Sequence, residues 1–287
     1  MVRTRRRLRT AQRPNFFIVG AMKSGTTSLY SFLRSHPAVF MTERKEIDFF
    51  SEHWERGLEW YDRFFLEVPS RAVAVGEAST SYTRYPNYTN VAQRMYTLFP
   101  EAKLIYVIRH PIHRMLSHYL HSSANGRETR PLEEALTEDP NYLNISRYSM
   151  QIEVLLQHFR PDQLAIVTSD GLRERREEVV RGLFRFLNVD ESWSGFLDME
   201  ETNRTSDKMV YPWAIRIARQ LTPRSRLRRL KRLGRKVMRT ARIGDPVRTE
   251  KPEIPESLRE FLRAELRDDV DRLKLYISER EIDIWRL

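Results

Sequence analysis

The chain has 287 residues, 40% of them hydrophobic, which is enough for one large α/β domain or two small ones. It contains no cysteine, so disulfides, thiolate catalysis and cysteine-based metal sites are excluded. The formal charge is +11, and no apolar run approaches the ~20 residues that cross a bilayer. Residues 1–13 form a basic tail without the apolar stretch of a secretory signal, so a soluble, cytoplasmic protein is expected.

Phe16–Gly20 is an apolar run that stops at a glycine and reads as a strand. The loop Ala21-Met22-Lys23-Ser24-Gly25 follows, and Thr26–Ser35 carries the pattern of an amphipathic helix. Such a layout aims backbone N–H groups and a helix N-terminus at one spot, where they grip phosphate. Lys23 adds a compact positive charge there, and Thr26, Thr27 and Ser28 add hydroxyls. The order Gly-x-x-Lys-x-Gly-Thr-Thr is not the standard phosphate loop, in which the lysine follows the second glycine.

Lys45-Glu46-Ile47-Asp48-Phe49-Phe50 comes next. One reading is a surface Lys-Glu pair ahead of a core Phe-Phe. The other is a carboxylate base, Glu46 or, failing it, Asp48, in an apolar surround supplied by the phenylalanines. Ala72–Gly76 reads as a strand leading into Glu77-Ala78-Ser79, and Tyr88–Phe99 as a helix. Leu104–Arg109 shows no alternation, as in a central strand buried on both faces. It ends in Arg109, and the next helix, Ile112–Asn125, begins just after Pro111. Ligands of open α/β sheets sit at the carboxyl ends of strands, where Arg109 and the Gly20 loop both fall. Ser117, about two helical turns beyond Arg109, can face the same pocket. An arginine fork with a hydroxyl suits a phosphate monoester.

Helices over Arg147–Phe159 and Glu174–Leu187 flank a further strand, Leu164–Thr168. Strands alternating with helices predict a P-loop-like, three-layer α/β fold, with about five parallel strands and helices on both faces. A single domain over 14–287 is expected, closed by a long helix over Pro255–Ile277. It is interrupted by a basic block at about 208–243. Between Asp207 and Asp245 there is no acid, against thirteen lysines and arginines. Leu227, Leu230 and Leu233 give that block a narrow apolar stripe, so a helical insertion is expected. It is either a solvated face or a surface for an anionic acceptor or membrane, with no specific nucleic acid expected.

The Gly20–Thr27 loop resembles the 5′-phosphosulfate loop of sulfotransferases that use 3′-phosphoadenosine 5′-phosphosulfate (PAPS). The run Arg109-x-Pro111-x-x-Arg114-x-x-Ser117 resembles their 3′-phosphate site, and Glu46-x-x-Phe49-Phe50 resembles the general-base segment of heparan-type and bacterial members. The absence of an anchor and of cysteine makes the chain look more like a bacterial relative than an animal Golgi enzyme. The resemblance implies transfer of a sulfuryl group from PAPS, without a metal, to a hydroxyl of a carbohydrate, lipid or other small molecule. Lys23 and Glu46 would be catalytic. Lys23, Ser24, Gly25, Thr26, Thr27, Ser28, Arg109 and Ser117 would hold the donor, and Arg248 and Lys251 would close over its 3′-phosphate. Where heparan-type enzymes have a lysine after the Glu77-equivalent, this chain has Ala78, so that cation is missing. Glu77 and Ser79 remain pocket-lining candidates, and Arg114, Ser146-Arg147-Tyr148 and Asn203-Arg204 read as structural. The alternatives are an ATP-dependent P-loop transferase, which needs a magnesium-binding aspartate at a strand end, and a binding protein built on the basic block.

Overall fold

The computed structural model describes residues 12–199 and 252–285, together with the backbone of the pair 209–210 and 247–248. The basic block at 208–243, the tail 1–11, Asn203-Arg204 and Lys251 therefore lie outside the described residues. So does the side chain of Arg248, whose backbone pairs antiparallel with Met209.

Five strands form one sheet: β1 (Phe16–Gly20), β2 (Val39–Met41), β3 (Ala74–Ala78), β4 (Lys103–Ile108) and β5 (Leu164–Thr168). Their order is β2-β3-β1-β4-β5, and every pairing is parallel. The longer helices are α1 (Thr26–Arg34), α2 (Val91–Leu98), α3 (Pro111–Ala124), α4 (Tyr148–Leu156), α5 (Arg176–Phe186) and α6 (Glu256–Leu273). The three-layer parallel architecture is the one expected from the sequence.

Alternate residues of each central strand feed two cores. Phe17, Val19, Leu104, Tyr106 and Ile108 pack with Phe49, Phe50, Tyr61, Met95 and Tyr148 on one face. Phe16, Ile18, Ile105 and Val107 pack on the other face with Leu29, Phe32 and Leu33 of α1 and Val180, Leu183 and Phe184 of α5. Two buried faces explain the unbroken apolar runs of β1 and β4. A third cluster joins Ile112 and Met115 of α3 to Leu258, Leu262 and Leu266 of α6, and so fixes α6 over the carboxyl edge of the sheet.

One strand was not foreseen, and one expected strand needs correction. β2 went unread because three residues are too few to show a period. β3 runs two residues further than the sequence pattern placed it, so Glu77 and Ala78 belong to the strand rather than to the loop after it. A buried polar residue inside an apolar run reads from sequence as a strand end.

Candidate active site

β1, β3 and β4 are neighbours, so their carboxyl ends lie side by side. Gly20 pairs with Tyr106 near the end of β4, and Ile18 with Ala78 at the end of β3. The chain turns sharply after β1 because position 20 has no side chain: a Cβ there would stand 1.9 Å from Thr83 Oγ1. Ala21 N–H then donates to Val107 O at 2.6 Å, which binds the loop to β4. Gly25, at φ 101°, turns the loop into α1.

Helix α1 begins with no side-chain cap and no acidic residue in its first turn. Its N-terminal amides carry the partial positive charge of a helix start. Thr26 and Thr27 open the helix, and Lys45 donates to both of their hydroxyls, at 3.2 and 2.7 Å. Lys45 also pairs with Glu46 Oε1 at 3.8 Å. Burial holds the Lys45 ammonium below the ordinary lysine range, partly offset by Glu46. The sequence reading passed over Lys45 as half of a surface pair. The usable signal was its position beside Glu46, since whatever seats one residue at a pocket carries its neighbour along.

Glu46 is fixed by three hydrogen bonds, one to the last residue of β3 and two from Thr80 just beyond it. Its own N–H donates to Ala78 O at 2.9 Å, and its Oε2 accepts from Thr80 N–H at 2.8 Å and from Thr80 Oγ1 at 3.0 Å. Its side chain is 37% exposed. The expected apolar surround is therefore absent. Phe49 and Phe50 turn away into the core, where they meet Tyr61, Phe17 and Tyr82. Asp48 is the more enclosed carboxylate. It accepts from Ser81 Oγ at 2.6 Å, and burial raises its carboxyl above the usual range.

Four described non-glycine residues have positive φ: Lys23 (71°), Glu46 (60°), Asp48 (57°) and Asn188 (58°). Three of them belong to the candidate site. That conformation costs of order 1–3 kcal/mol per residue and persists only where the surroundings impose it.

Glu77 and Ser79, expected to line the pocket, are both fully buried beneath it. Glu77 Oε1 accepts from Tyr61 OH at 2.9 Å and Tyr82 OH at 2.6 Å, and Oε2 accepts from Ser79 Oγ at 2.8 Å. Two of these hydroxyls in turn accept backbone N–H groups of the Glu46 loop, Asp48 to Ser79 Oγ at 3.0 Å and Phe49 to Tyr82 OH at 3.1 Å. Glu77 is thus the hub that holds the loop in place.

On the other side of the Lys23 loop, Arg109 Nη1 donates to Lys23 O at 3.4 Å. A cavity of about 310 Å³ opens there, lined by Arg109, His110, His113 and Ser117 from below and by Arg259 and Arg263 of α6 from above. Ser117 is brought beside Arg109 as the helical spacing requires. Burial, and secondarily His113, holds His110 down at about 4, so its imidazole is neutral at pH 7. Arg259 and Arg263 were missed because α6 reads from sequence as a packing helix, and only the fold shows which of its arginines overhang the cavity. Arg114 is fully buried and donates to Ser146 Oγ and Tyr142 O, both at 2.6 Å, while Tyr148 OH donates to Arg109 O at 2.7 Å. Those hydrogen bonds brace the start of α3. Among the described residues no cluster of three or more His, Asp or Glu is placed to hold a metal ion. No described helix is long and apolar enough to cross a membrane.

A strand–loop–helix turn with an uncapped helix start, an arginine-lined cavity and the Glu46 carboxylate thus lie along one edge of the sheet. The model of the sulfotransferase family matches residues 14–194, and the chain belongs to that family. It is 30% identical over 214 residues to the human bifunctional heparan sulfate N-deacetylase/N-sulfotransferase 2, a match covering 68% of this chain and 24% of that protein. It is 40% identical over 108 residues to the membrane-associated sulfotransferase kil1 of Dictyostelium discoideum, covering 37% of this chain and 22% of that one. The chain thus spans about a quarter of the length of these curated relatives, which are eukaryotic. The crystal structure of a sulfotransferase from Alicyclobacillus acidocaldarius matches with a TM-score of 0.69 at 27% identity, covering 96% of this chain and 100% of that one.

Proposed function

We propose that the chain transfers a sulfuryl group from PAPS to an acceptor hydroxyl or amine, with Glu46 as general base and no metal. The observation that carries this reading is the row formed at the carboxyl edge of the sheet. The Arg109–Ser117 cavity, the Lys23 loop and the Glu46 carboxylate follow one another across neighbouring strands, with Lys23 O 3.4 Å from Arg109 and Glu46 3.8 Å from the lysine that touches Thr26 and Thr27. A donor with one phosphate at each end of a ribose spans such a row.

In this reading, backbone N–H groups of Gly25 to Thr27 and the hydroxyls of Thr26, Thr27 and Ser28 hold the 5′-phosphate, while Ser24 N–H, which donates to Ala21 O at 3.2 Å, shapes the loop. Arg109 and Ser117 hold the 3′-phosphate, joined by Arg259 and Arg263 and by Arg248 and Lys251. Glu46 takes the proton of the acceptor as the acceptor oxygen or nitrogen bonds to sulfur. The bond between sulfur and the 5′-phosphate oxygen breaks, the electron pair stays on that oxygen, and Lys23 stabilises the charge. Positioning and charge neutralisation dominate, as in phosphoryl transfer. Relatives named for heparan sulfate support a glycan as the acceptor class.

The test is a comparison of ligand-induced stabilisation. Without magnesium, 3′-phosphoadenosine 5′-phosphate (PAP) should raise Tm far more than ATP at equal concentration. Equal stabilisation by ATP, or a strict need for magnesium, rejects the reading in favour of an ATP-dependent transferase.

A further inference from the structure

We propose that Lys45 is a second catalytic cation, placed to neutralise the phosphate–sulfate linkage of the donor from the side opposite Arg109. The inference rests on the sulfotransferase reading above and adds to it a residue that the Lys23 and Glu46 roles do not require.

The ammonium of Lys45 sits against the hydroxyls of Thr26 and Thr27, at the positive end of α1. A helix N-terminus repels a cation, so this is the wrong end for a structural lysine. Its side chain is only 20% exposed, so it has given up most of its water as well. What it receives in return is modest. Two neutral hydroxyls accept from it, and its ion pair with Glu46 is 3.8 Å long, against about 2.7–2.9 Å for a charge-assisted hydrogen bond. Glu46 meanwhile commits its other oxygen to Thr80. A phosphosulfate seated on the amides of α1 supplies the anion that makes this placement favourable.

The backbone explains how the lysine gets there. The loop carrying Lys45 leaves the carboxyl end of β2, and the bond from Glu46 N–H to Ala78 O ties it to the end of β3, which holds Lys45 against the start of α1. Position 78 itself contributes no charge. Lys23 reaches the same anion from within the β1–α1 loop, and Lys45 from the β3 side. As the sulfur–oxygen bond to the 5′-phosphate breaks, Lys45 offsets charge on the separating oxygens without exchanging a proton, and the acceptor proton still goes to Glu46.

The experiment compares Lys45→Met, Lys45→Arg, Glu46→Gln and the double variant Lys45→Met/Glu46→Gln. It reads kcat, donor KM and PAP affinity, with the PAP-induced rise in Tm as the check that each variant folds. Lys45→Met should lower kcat by about 30- to 100-fold, the scale of losing one electrostatic donor, while PAP Kd changes by less than about tenfold. Lys45→Arg should recover part of the loss, because it restores the charge with a different geometry. The double variant should be clearly slower than Glu46→Gln alone, though short of the product of the two single losses because the two residues are in contact. If it is no slower than Glu46→Gln alone, Lys45 acts only by holding Glu46, and the proposal is overturned. A Lys45→Met variant with normal kcat and only a raised donor KM overturns it too, leaving a docking charge. A wild-type chain that does not bind PAP rejects the sulfotransferase reading itself. Wild-type turnover combined with a fully active Lys45→Met rejects the Lys45 proposal alone.

Discussion

Glu77 makes a pH-dependent demand on stability that its neighbours only partly relieve. It has no exposed surface, and burial lifts its carboxyl from 4.5 to about 7, against the hydrogen bonds from Tyr82, Ser79 and Tyr61 that pull it down. Because the folded value is the higher one, the folded chain binds more protons than the unfolded chain between about pH 4.5 and 7. Stability must therefore fall as pH rises through that window and level off above it. At about 1.4 kcal/mol per pH unit, a rise from 4.5 to about 7 amounts to about 3 kcal/mol. Glu77→Gln removes the titration while keeping the size of the side chain. It also turns one acceptor into a donor facing a hydroxyl, so it should be less stable than wild type at pH 5. The assay is urea unfolding of both proteins at intervals from pH 4.5 to 8. The wild-type curve should lose about 3 kcal/mol relative to the variant across the window, bringing the two closer as pH rises. Parallel curves would refute a buried, titrating Glu77.

Two further substitutions separate chemistry from architecture. Glu46→Gln should fold and bind PAP nearly normally while kcat falls by about 100-fold or more on an aliphatic alcohol, and by much less on an acidic nitrophenol. An equal loss on both acceptors would make Glu46 an orienting group, and no loss on either would move the base to Asp48. Gly20→Ala should lower the unfolding free energy by about 1–3 kcal/mol, since its Cβ would overlap Thr83 Oγ1, itself bonded to Val19 O at 2.9 Å. A change under about 0.5 kcal/mol in urea unfolding would show that the turn yields freely.

The sheet was legible because β1 and β4 are unbroken apolar runs that end at a glycine loop and at an arginine. Their side-by-side placement needs only the rules for parallel sheets. The layout of the Gly20 loop and of the Arg109–Ser117 run was legible for the same reason: each is local, a few residues at a strand end or along a single helix. Longer-range features were not. Lys45 reaches Thr26 and Thr27 across 19 and 18 residues of sequence, and Arg259 overhangs Arg109 from a helix 150 residues away, so no local spacing announces either. Glu77 was misplaced for a different reason. From sequence a carboxylate after a strand is taken as exposed, and only the hydroxyls of Tyr61, Tyr82 and Ser79, gathered from two segments, allow it to be buried.

The central claim is that this edge of the sheet moves sulfuryl groups from PAPS. It is tested most directly by incubating the chain, in the presence of a metal chelator, with sulfur-labelled PAPS and a panel of glycan and small-molecule acceptors, alongside Lys23→Ala. The expected result is labelled acceptor with release of PAP, a mass gain of one sulfate, and a rate lower by about 100-fold in the variant. PAPS left intact by a chain that transfers phosphate from ATP once magnesium is restored would contradict it, as would a Lys23→Ala variant with unchanged kcat.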